Sequence, residues 1–309
     1  MYAIIELDRK IFNIETLIPL KKEKTMHMEN LNRLRLLACE IRMETMKIIA
    51  SKGNGHVGGS LSIADVLAVL YGEVMKYDPQ DPNWKERDWL ILSKGHAGPA
   101  LYAALGIAGF YPKEAAYHLN EAGSDFPSHA DHNRTRGVDI TTGSLGQGIS
   151  EAVGVALGNR MQGIDSHVFV ICGDGECDEG QIWEAAQFAA HNHLDNLIGF
   201  VDSNGRQLDG TIDEVMSHGK GIGAKFDAFG WEVIEVIDGN DVEQILEAVR
   251  KAFIVKDKPV MIILNTIKGK GIDFAETSGE HSSTLNQQQW AEVLEEAERK
   301  YAELREALL

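Results

Sequence analysis

Two buried apolar runs, each ending in a polar turn, set the topology at the centre of this chain. Residues 168–172 (VFVIC) lead into a GDG turn at 173–175, and residues 197–201 (LIGFV) lead into a DSNG turn at 202–205. The stretch between them, 181–194, has a helical pattern. At ~1.5 Å per residue, such a helix is long enough to run back along a five-residue strand at ~3.3 Å per residue. Both turns are therefore expected at the same edge of a parallel sheet.

Each of these turns carries an oxygen ligand that suits a hard cation. Asp174 offers a carboxylate and Asn204 an amide oxygen. Magnesium prefers such oxygens, takes few of them from the protein, and completes its octahedron with phosphate oxygens and water. Gly173 and Gly175 would let the backbone approach a phosphate closely. The pattern predicts a magnesium and phosphate site, although the spacing alone also fits an ordinary Asp-Gly turn and a surface Asn.

The rest of the chain alternates strand and helix patterns. Further apolar runs typical of buried parallel strands are residues 89–92, 231–236 and 260–264. Helical periodicity is found at 31–49, 62–74 and 287–308, and Ser62 with Asp65 has the spacing of a capping box. This alternation predicts an α/β fold, a doubly wound parallel sheet with helices on both faces, with ligands bound beyond the carboxyl ends of the strands.

The first 28 residues are predicted to be an N-terminal tail, and residues 29–309 a single domain. A basic cluster at 21–24 precedes Met26 and Met28, and either methionine is a candidate start of translation in addition to Met1. Helical periodicity begins only at Leu31.

Charge and cysteine content exclude several classes of function. The formal net charge of -17 argues against binding to nucleic acids or acidic membranes, since phosphate groups are attracted by basic stripes. An acidic protein that binds a diphosphate needs a cation, helix N-termini or backbone amides at the site. The three cysteines have neither disulfide nor metal-ligand spacing. No uncharged apolar run approaches the ~18 residues of a membrane span, and a cytoplasmic protein is expected.

The GDG turn, followed roughly thirty residues later by Asn204, resembles the thiamine-diphosphate motif, and its surroundings resemble transketolases. Ser203 replaces the first Asn of the motif at a position that varies among transketolases. The resemblance extends from about Leu31 to His281, in the order of the family's amino-terminal half. Its further segments are GHVGGSLSIADVL, LSKGHAGPALYAAL, PSHADHNRTRGVDITTGSLGQGIS and KGKGIDFAETSGEHSSTL.

The resemblance implies a set of site residues and two cofactors, thiamine diphosphate and Mg²⁺. The implied metal ligands are the side chains of Asp174 and Asn204 and the backbone carbonyl of Arg206. The implied cofactor contacts are His96, Gly143, Ser144, Leu145, Gly175, Glu176, Asn204 and His281. The implied catalytic residues, which would contact the sugar or the diphosphate, are His56, His96, His129 and His281.

Two of these inferences depend on local context. The imidazole of His96, at the start of a helix, is expected to be protonatable and to meet a phosphate there. His281 lacks the Trp that usually precedes it in the family and the basic residue that usually follows, and this points to an altered substrate contact. Lys268 and Lys270 are expected to lie on a solvated loop.

The implied activity is transfer of a two-carbon ketol unit from a ketose phosphate, or an analogous ketose, to an aldose. In transketolases the Glu that activates thiamine lies in a second, pyrimidine-binding domain, and full-length members are about twice as long as this chain. We therefore expect a separate C-terminal subunit to supply that Glu, an active site between chains, and a heterotetramer.

Three other functions fit parts of the sequence. They are the alpha subunit of a thiamine-dependent 2-oxo acid dehydrogenase, a deoxyxylulose-phosphate synthase, and a non-catalytic cofactor-binding protein. The sugar also stays open, since pentose phosphates, branched-sugar phosphates and sulfonated sugars all suit the pattern.

Overall fold

The computed structural model describes residues 14–308, with side chains from His27 onward. The helices are α1 (Ile14–Lys52), α2 (Val57–Leu61), α3 (Ala64–Val69), α4 (Gly98–Ile107), α5 (Gly148–Gln162), α6 (Gly180–His191), α7 (Ile212–Val215), α8 (Ile222–Ala228), α9 (Val242–Phe253), α10 (Asp273–Ser278) and α11 (Gln287–Leu308). The strands are β1 (Asn54–Gly55), β2 (Trp89–Leu92), β3 (Val168–Gly173), β4 (Leu197–Ser203), β5 (Glu232–Val236), β6 (Val260–Asn265) and β7 (Ser283–Thr284).

Five strands form one parallel sheet in the order β2-β3-β4-β6-β5. The inner strands β3, β4 and β6 are buried along nearly their whole length, because helices cover both faces of the sheet. One core joins the sheet to α1, α3, α4 and α9, and a second joins it to α5, α6 and α8. The predicted doubly wound sheet is confirmed, and its strand bounds differ from the predicted ones by at most two residues.

The first helix begins earlier than its apolar pattern. α1 starts at Ile14, so the predicted boundary at residue 29 falls inside a continuous helix, and residues 1–13 lie outside the described part of the chain. Lysine, glutamate and methionine, which dominate residues 21–28, are good helix formers and can extend a helix without apolar periodicity.

The predicted capping box at Ser62 is wrong. The predicted helix over 62–74 is observed as α3 followed by a π-helical turn at Leu70–Val74, and Ile63 occupies the N-cap of α3. Ser62 is buried, and its hydroxyl donates to Asp202 instead of capping a helix. The segment Val57–Val74 is apolar and long enough for a membrane span, but 83% of it is buried inside the fold.

A small antiparallel sheet joins two distant parts of the chain. β1 pairs with β7, with Asn54 opposite Thr284 and Gly55 opposite Ser283. Helix α11 reinforces the junction, since the indole Nε1 of Trp290 donates to the Gly53 carbonyl at 2.9 Å. The segment that follows β1 is therefore held beside the segment that precedes β7.

Candidate functional site

The turns after β3 and β4 meet at the carboxyl edge of the sheet. In the parallel register Gly173 lies opposite Asp202, so the residues that follow emerge side by side. The Asp174 carboxylate accepts hydrogen bonds from the backbone N–H of Gly175 at 2.8 Å and of Gly205 at 2.6 Å. The structure thus brings the Asp174 and Asn204 turns together at one edge, as predicted.

Both turns line one cavity of about 220 Å³. Eight residues predicted for the site lie in its wall: His96, Leu145, Asp174, Gly175, Glu176, Asn204, Arg206 and His281. Further lining residues are Gly59, Lys94, Gly173, Gln207, Leu208 and Lys268. His56, His129, Gly143 and Ser144 are not in the wall of this cavity.

Asp174 has the electrostatic environment of a cation ligand. Its side chain is 3% exposed, and burial together with the nearby Asp202 carboxylate raises its pKa from 3.8 to about 7, against the opposing effect of its backbone hydrogen bonds. A cation beside this carboxylate would favour its ionised form. Among the side chains that the structure describes, from His27 to Leu308, no group of three or more His, Cys, Asp or Glu residues could hold a metal ion. The set formed by one carboxylate, the Asn204 amide and the Arg206 carbonyl fits Mg²⁺, which needs few protein ligands.

Four histidines from distant parts of the chain form one cluster. The ring centroid of His56 lies 5.4 Å from that of His96, 5.5 Å from that of His129 and 5.1 Å from that of His281. The rings of His96 and His281 are 4.6 Å apart. The pairing of β1 with β7 explains the proximity of His56 and His281, because His56 follows β1 and His281 precedes β7.

Three rings of the cluster, those of His56, His96 and His281, are neutral near pH 7, which corrects the prediction that His96 is protonatable. Burial, followed by the Lys94 ammonium, lowers the pKa of His96 to about 2. Burial, followed by the Lys268 ammonium, lowers the pKa of His281 to about 4, and burial also lowers the pKa of His56. The rings can still donate and accept hydrogen bonds, because a neutral imidazole has one N–H and one bare nitrogen.

The glycine turn before α5 is fixed by a buried glutamate. The Glu176 carboxylate accepts from the backbone N–H of Gly146 at 2.8 Å and of Gly173 at 2.9 Å, and also from the Ser93 hydroxyl. Gly146 has a φ of +82°, a conformation that favours glycine. Glu176 was predicted to contact the cofactor, and the structure shows its carboxylate joining the turn before α5 to the turn after β3.

A buried ion pair underlies the cavity. Lys94 and Asp202 are almost fully buried, and the Nζ of Lys94 lies 2.5 Å from Oδ2 of Asp202. The same Oδ2 accepts from Ser62 at 2.6 Å and from the Asn204 amide at 3.0 Å, and Thr266 donates to the other oxygen. The Asn204 amide nitrogen is thereby directed to Asp202 and its oxygen away from it.

The prediction that Lys268 lies on a solvated loop is wrong. Its side chain is 4% exposed and lines the cavity, and its Nζ donates to the carbonyls of Arg206 and Gln207, each at 3.2 Å. Lys270 is partly exposed, and its Nζ lies 3.9 Å from Oε1 of Glu276. The available signal was position: Lys268 closely follows β6, and the carboxyl end of β6 lies beside that of β4.

Comparison with known proteins relates this arrangement to one family. The family described as "Transketolase, thiamine diphosphate binding domain" matches residues 34–302. The 6-deoxy-6-sulfo-D-fructose transketolase subunit of Clostridium sp. (strain MSTE9) is 50% identical over 263 residues, which cover 85% of this chain and 95% of that protein. An apulose-4-phosphate transketolase subunit of Phocaeicola vulgatus is 35% identical, over 88% of this chain and 96% of that protein.

A solved structure shows the same fold. Transketolase from Leishmania mexicana superimposes with a TM-score of 0.78 at 30% sequence identity. The match covers 88% of this chain and 46% of that one. This chain therefore spans about half of that enzyme and nearly all of the two subunits named above.

Proposed function

The chain belongs to the transketolase family and corresponds to its N-terminal, thiamine-diphosphate-binding part, and from this premise we propose how its residues serve ketol transfer. The observation that carries the proposal is the single cavity in which the Asp174 and Asn204 turns lie beside His96 and His281. The lining of this cavity offers both oxygen ligands for a cation and imidazoles for phosphate or sugar oxygens.

In this proposal Asp174, the Asn204 amide oxygen and the Arg206 carbonyl hold Mg²⁺. Gly175, Lys268, His96 and the turn at 143–145 hold the diphosphate, with Gly175 contributing backbone and Lys268 contributing charge. When bound, thiamine diphosphate supplies the nucleophilic carbon and the electron sink for breaking and forming carbon–carbon bonds. The protein fixes the position of that group and keeps water away from it.

The histidine cluster is assigned to the sugar. We assign His56, His129 and His281 to hydrogen bonds with substrate hydroxyls, with His281 also near the diphosphate. The bare nitrogen of a neutral imidazole can accept a hydroxyl proton and return it. The lowered pKa values of His56 and His281 keep that nitrogen free at neutral pH.

A separate C-terminal chain is proposed to complete the active site and supply the activating Glu. This is supported by relatives of this length that are themselves subunits, whereas the Leishmania enzyme is about twice as long. The face formed by α5 and α6 suits such a partner. A Cβ at Gly154 or Gly158 would have no neighbouring atom within 4 Å, and the Phe188 side chain is 48% exposed. Helix α5 begins after the turn at 143–146 and α6 after the GDG turn, and both turns carry residues of the proposed site.

We propose a ketose with a terminal sulfonate as the donor, in a heterotetramer of two copies of each chain. The sulfonate assignment follows the 50% identity with the sulfofructose transketolase subunit. A ketose phosphate is the second candidate, because the relative from Phocaeicola vulgatus is named for a sugar phosphate.

The test is reconstitution of the two-chain enzyme. This chain would be purified together with a C-terminal transketolase chain encoded by a neighbouring gene. The pair would be assayed for ketol transfer from 6-deoxy-6-sulfofructose and from a panel of ketose phosphates. We expect activity from the pair, none from either chain alone, and the highest kcat/KM with the sulfonated ketose. Turnover by this chain alone would disprove the two-chain proposal, and preference for a phosphate would disprove the sulfonate assignment.

Two variants distinguish loss of the proposed metal ligand from a non-specific effect of removing a carboxylate in this region. Asp174→Ala should abolish Mg²⁺-dependent binding of thiamine diphosphate in calorimetry. Asp209→Ala, which removes an exposed carboxylate from the loop after β4, should leave binding within about twofold of the wild type. Equal affinities for both variants would refute the ligand assignment.

A further inference from the structure

The turn that carries Lys268 is held by more than its own residues. It spans residues 267–270 between β6 and α10, and Lys268 extends from it into the cavity wall. The backbone N–H of Gly269 donates to the Gly58 carbonyl at 3.1 Å, and this contact joins the turn to α2. Two further side chains, Asn240 and Arg42, bond to the turn directly, and Asp65 bonds to both of them. None of these three residues lines the cavity.

Asn240 holds the first residue of the turn. Its Oδ1 accepts from the backbone N–H of Ile267 at 2.9 Å. Its Nδ2 donates to the Ser62 carbonyl at 3.1 Å and to Oδ2 of Asp65 at 2.9 Å. Asn240 thus connects the turn after β6 to Ser62 and to Asp65 of α3.

Arg42 holds the last residue of the turn. Its Nε donates to the Lys270 carbonyl at 3.0 Å, and its guanidinium forms a two-pronged ion pair with Asp65. Asp65 is 4% exposed, so this pair is shielded from solvent and more rigid than a surface pair. The network therefore fixes both ends of the turn, with Lys268 between them.

We propose that Arg42, Asp65 and Asn240 are positioning residues that hold the Lys268 ammonium in the cavity for the cofactor's diphosphate. The inference rests on the proposed function, since it assigns the diphosphate to Lys268. It adds residues on α1, on α3 and before α9 that touch neither cofactor nor substrate. Because these residues act through Lys268, their effect on cofactor affinity depends on Lys268 being present.

A double-mutant cycle tests this dependence on the full chain in complex with its C-terminal partner. Calorimetry would give the Kd of thiamine diphosphate at saturating Mg²⁺, with urea unfolding to confirm that each variant is folded. Lys268→Met should raise the Kd about 10- to 100-fold, the range for a lost hydrogen bond to a charged group. Asn240→Ala and Arg42→Met should each raise it about 3- to 10-fold, since part of the network remains in each.

In the Lys268→Met background, Asn240→Ala and Arg42→Met should change the Kd less than about twofold. Arg33→Met is the matched control, because Arg33 also lies on α1 but ties it to Gly72 and Glu73, away from the turn. It should leave the Kd within about twofold of the wild type. Equal effects of Asn240→Ala with and without Lys268 would overturn the inference.

A second measurement needs no cofactor. In the cofactor-free protein, Lys268 should react slowly with an amine-specific reagent, as followed by mass spectrometry, while the partly exposed Lys270 reacts faster. Asn240→Ala should raise the Lys268 rate at least about threefold, because a released turn exposes the ammonium. An unchanged rate would overturn the inference. Failure of the wild-type complex to bind thiamine diphosphate, with labelling as expected, would instead overturn the proposed function and the diphosphate role of Lys268.

Discussion

The stability of the cofactor-free Asp174→Asn variant, relative to that of the wild type, should increase as the pH rises. The pKa of Asp174 is raised from 3.8 to about 7, chiefly by burial and then by Asp202. The pKa of Asp174 is higher in the folded than in the unfolded state. The contribution of Asp174 to the stability of the folded wild type is therefore fully present below about pH 4 and is lost as the pH rises toward 7. An asparagine at this position does not titrate, so the variant escapes this loss.

The size of the effect follows from the two pKa values. With 3.8 in the unfolded and about 7 in the folded state, ionisation of Asp174 costs the wild type about 2.5 kcal/mol more at pH 8 than at pH 5. Asparagine can accept from Gly175 or Gly205 with one oxygen, but not from both. The lost acceptor costs about 1 to 3 kcal/mol at every pH. The prediction is therefore a change of about 2.5 kcal/mol in the stability difference between pH 5 and pH 8.

The assay is urea unfolding of the wild type and Asp174→Asn at pH 5, 6, 7 and 8, in EDTA and without cofactor. Asp209→Asn, at an exposed position in the same region, provides the control. Addition of Mg²⁺ and thiamine diphosphate at pH 8 should then stabilise the wild type and not the Asp174 variant, because a ligand stabilises only a fold that binds it. A stability difference that stays constant from pH 5 to pH 8 would refute the reasoning.

Three further predictions concern the cavity and its supports. His96→Ala should raise the Kd of thiamine diphosphate about tenfold, equally at pH 6 and pH 8, because a pKa of about 2 keeps the imidazole neutral at both; a loss confined to pH 6 would contradict this. Lys94→Met should lower the free energy of unfolding by about 3 to 5 kcal/mol by leaving a buried carboxylate without its partner, and adding Asp202→Asn should restore most of it. Calorimetric unfolding of the single and double variants checks the recovery. In urea unfolding, Gly269→Ala should lower the free energy of unfolding by more than the ~1 kcal/mol expected of Gly163→Ala. Both glycines have a positive φ, but a Cβ at 269 would collide with neighbouring backbone, whereas one at 163 would meet open space.

The parts of the fold that were predictable from sequence are those with a local physical signal. A parallel strand covered on both faces must be apolar along its length, so the runs at 168–172 and 197–201 could be identified without any tertiary information. The parallel arrangement then placed Asp174 and Asn204 at one edge. Helix α11 was predictable for a similar reason, because one stripe of it, including Trp290, Val293 and Ala297, is buried.

What could not be predicted depends on burial by distant segments. Ser62 has the spacing of a helix cap, but β4 places Oδ2 of Asp202 2.6 Å from its hydroxyl. A buried hydroxyl needs a hydrogen-bond partner, and here Asp202 is that partner. Lys268 lies in a glycine-containing loop typical of solvent exposure, and only the packing of that loop against the Arg206 turn encloses it. The lowered pKa of His96 results first from burial by other parts of the chain and then from the Lys94 ammonium.

The charges around the cavity explain why an acidic chain would need a divalent cation to bind a diphosphate. Lys94 is neutralised by Asp202, so the remaining basic side chains that line the cavity, in the part of the chain that the structure describes, are Lys268 and Arg206. Asp174 adds a carboxylate that is half ionised near pH 7 in the absence of a cation. A diphosphate entering alone would meet that negative charge at close range, whereas Mg²⁺ would bind both and turn repulsion into attraction. In the proposed site, the turn that is expected to make the cofactor-free protein less stable at neutral pH would therefore also make cofactor binding depend on the metal.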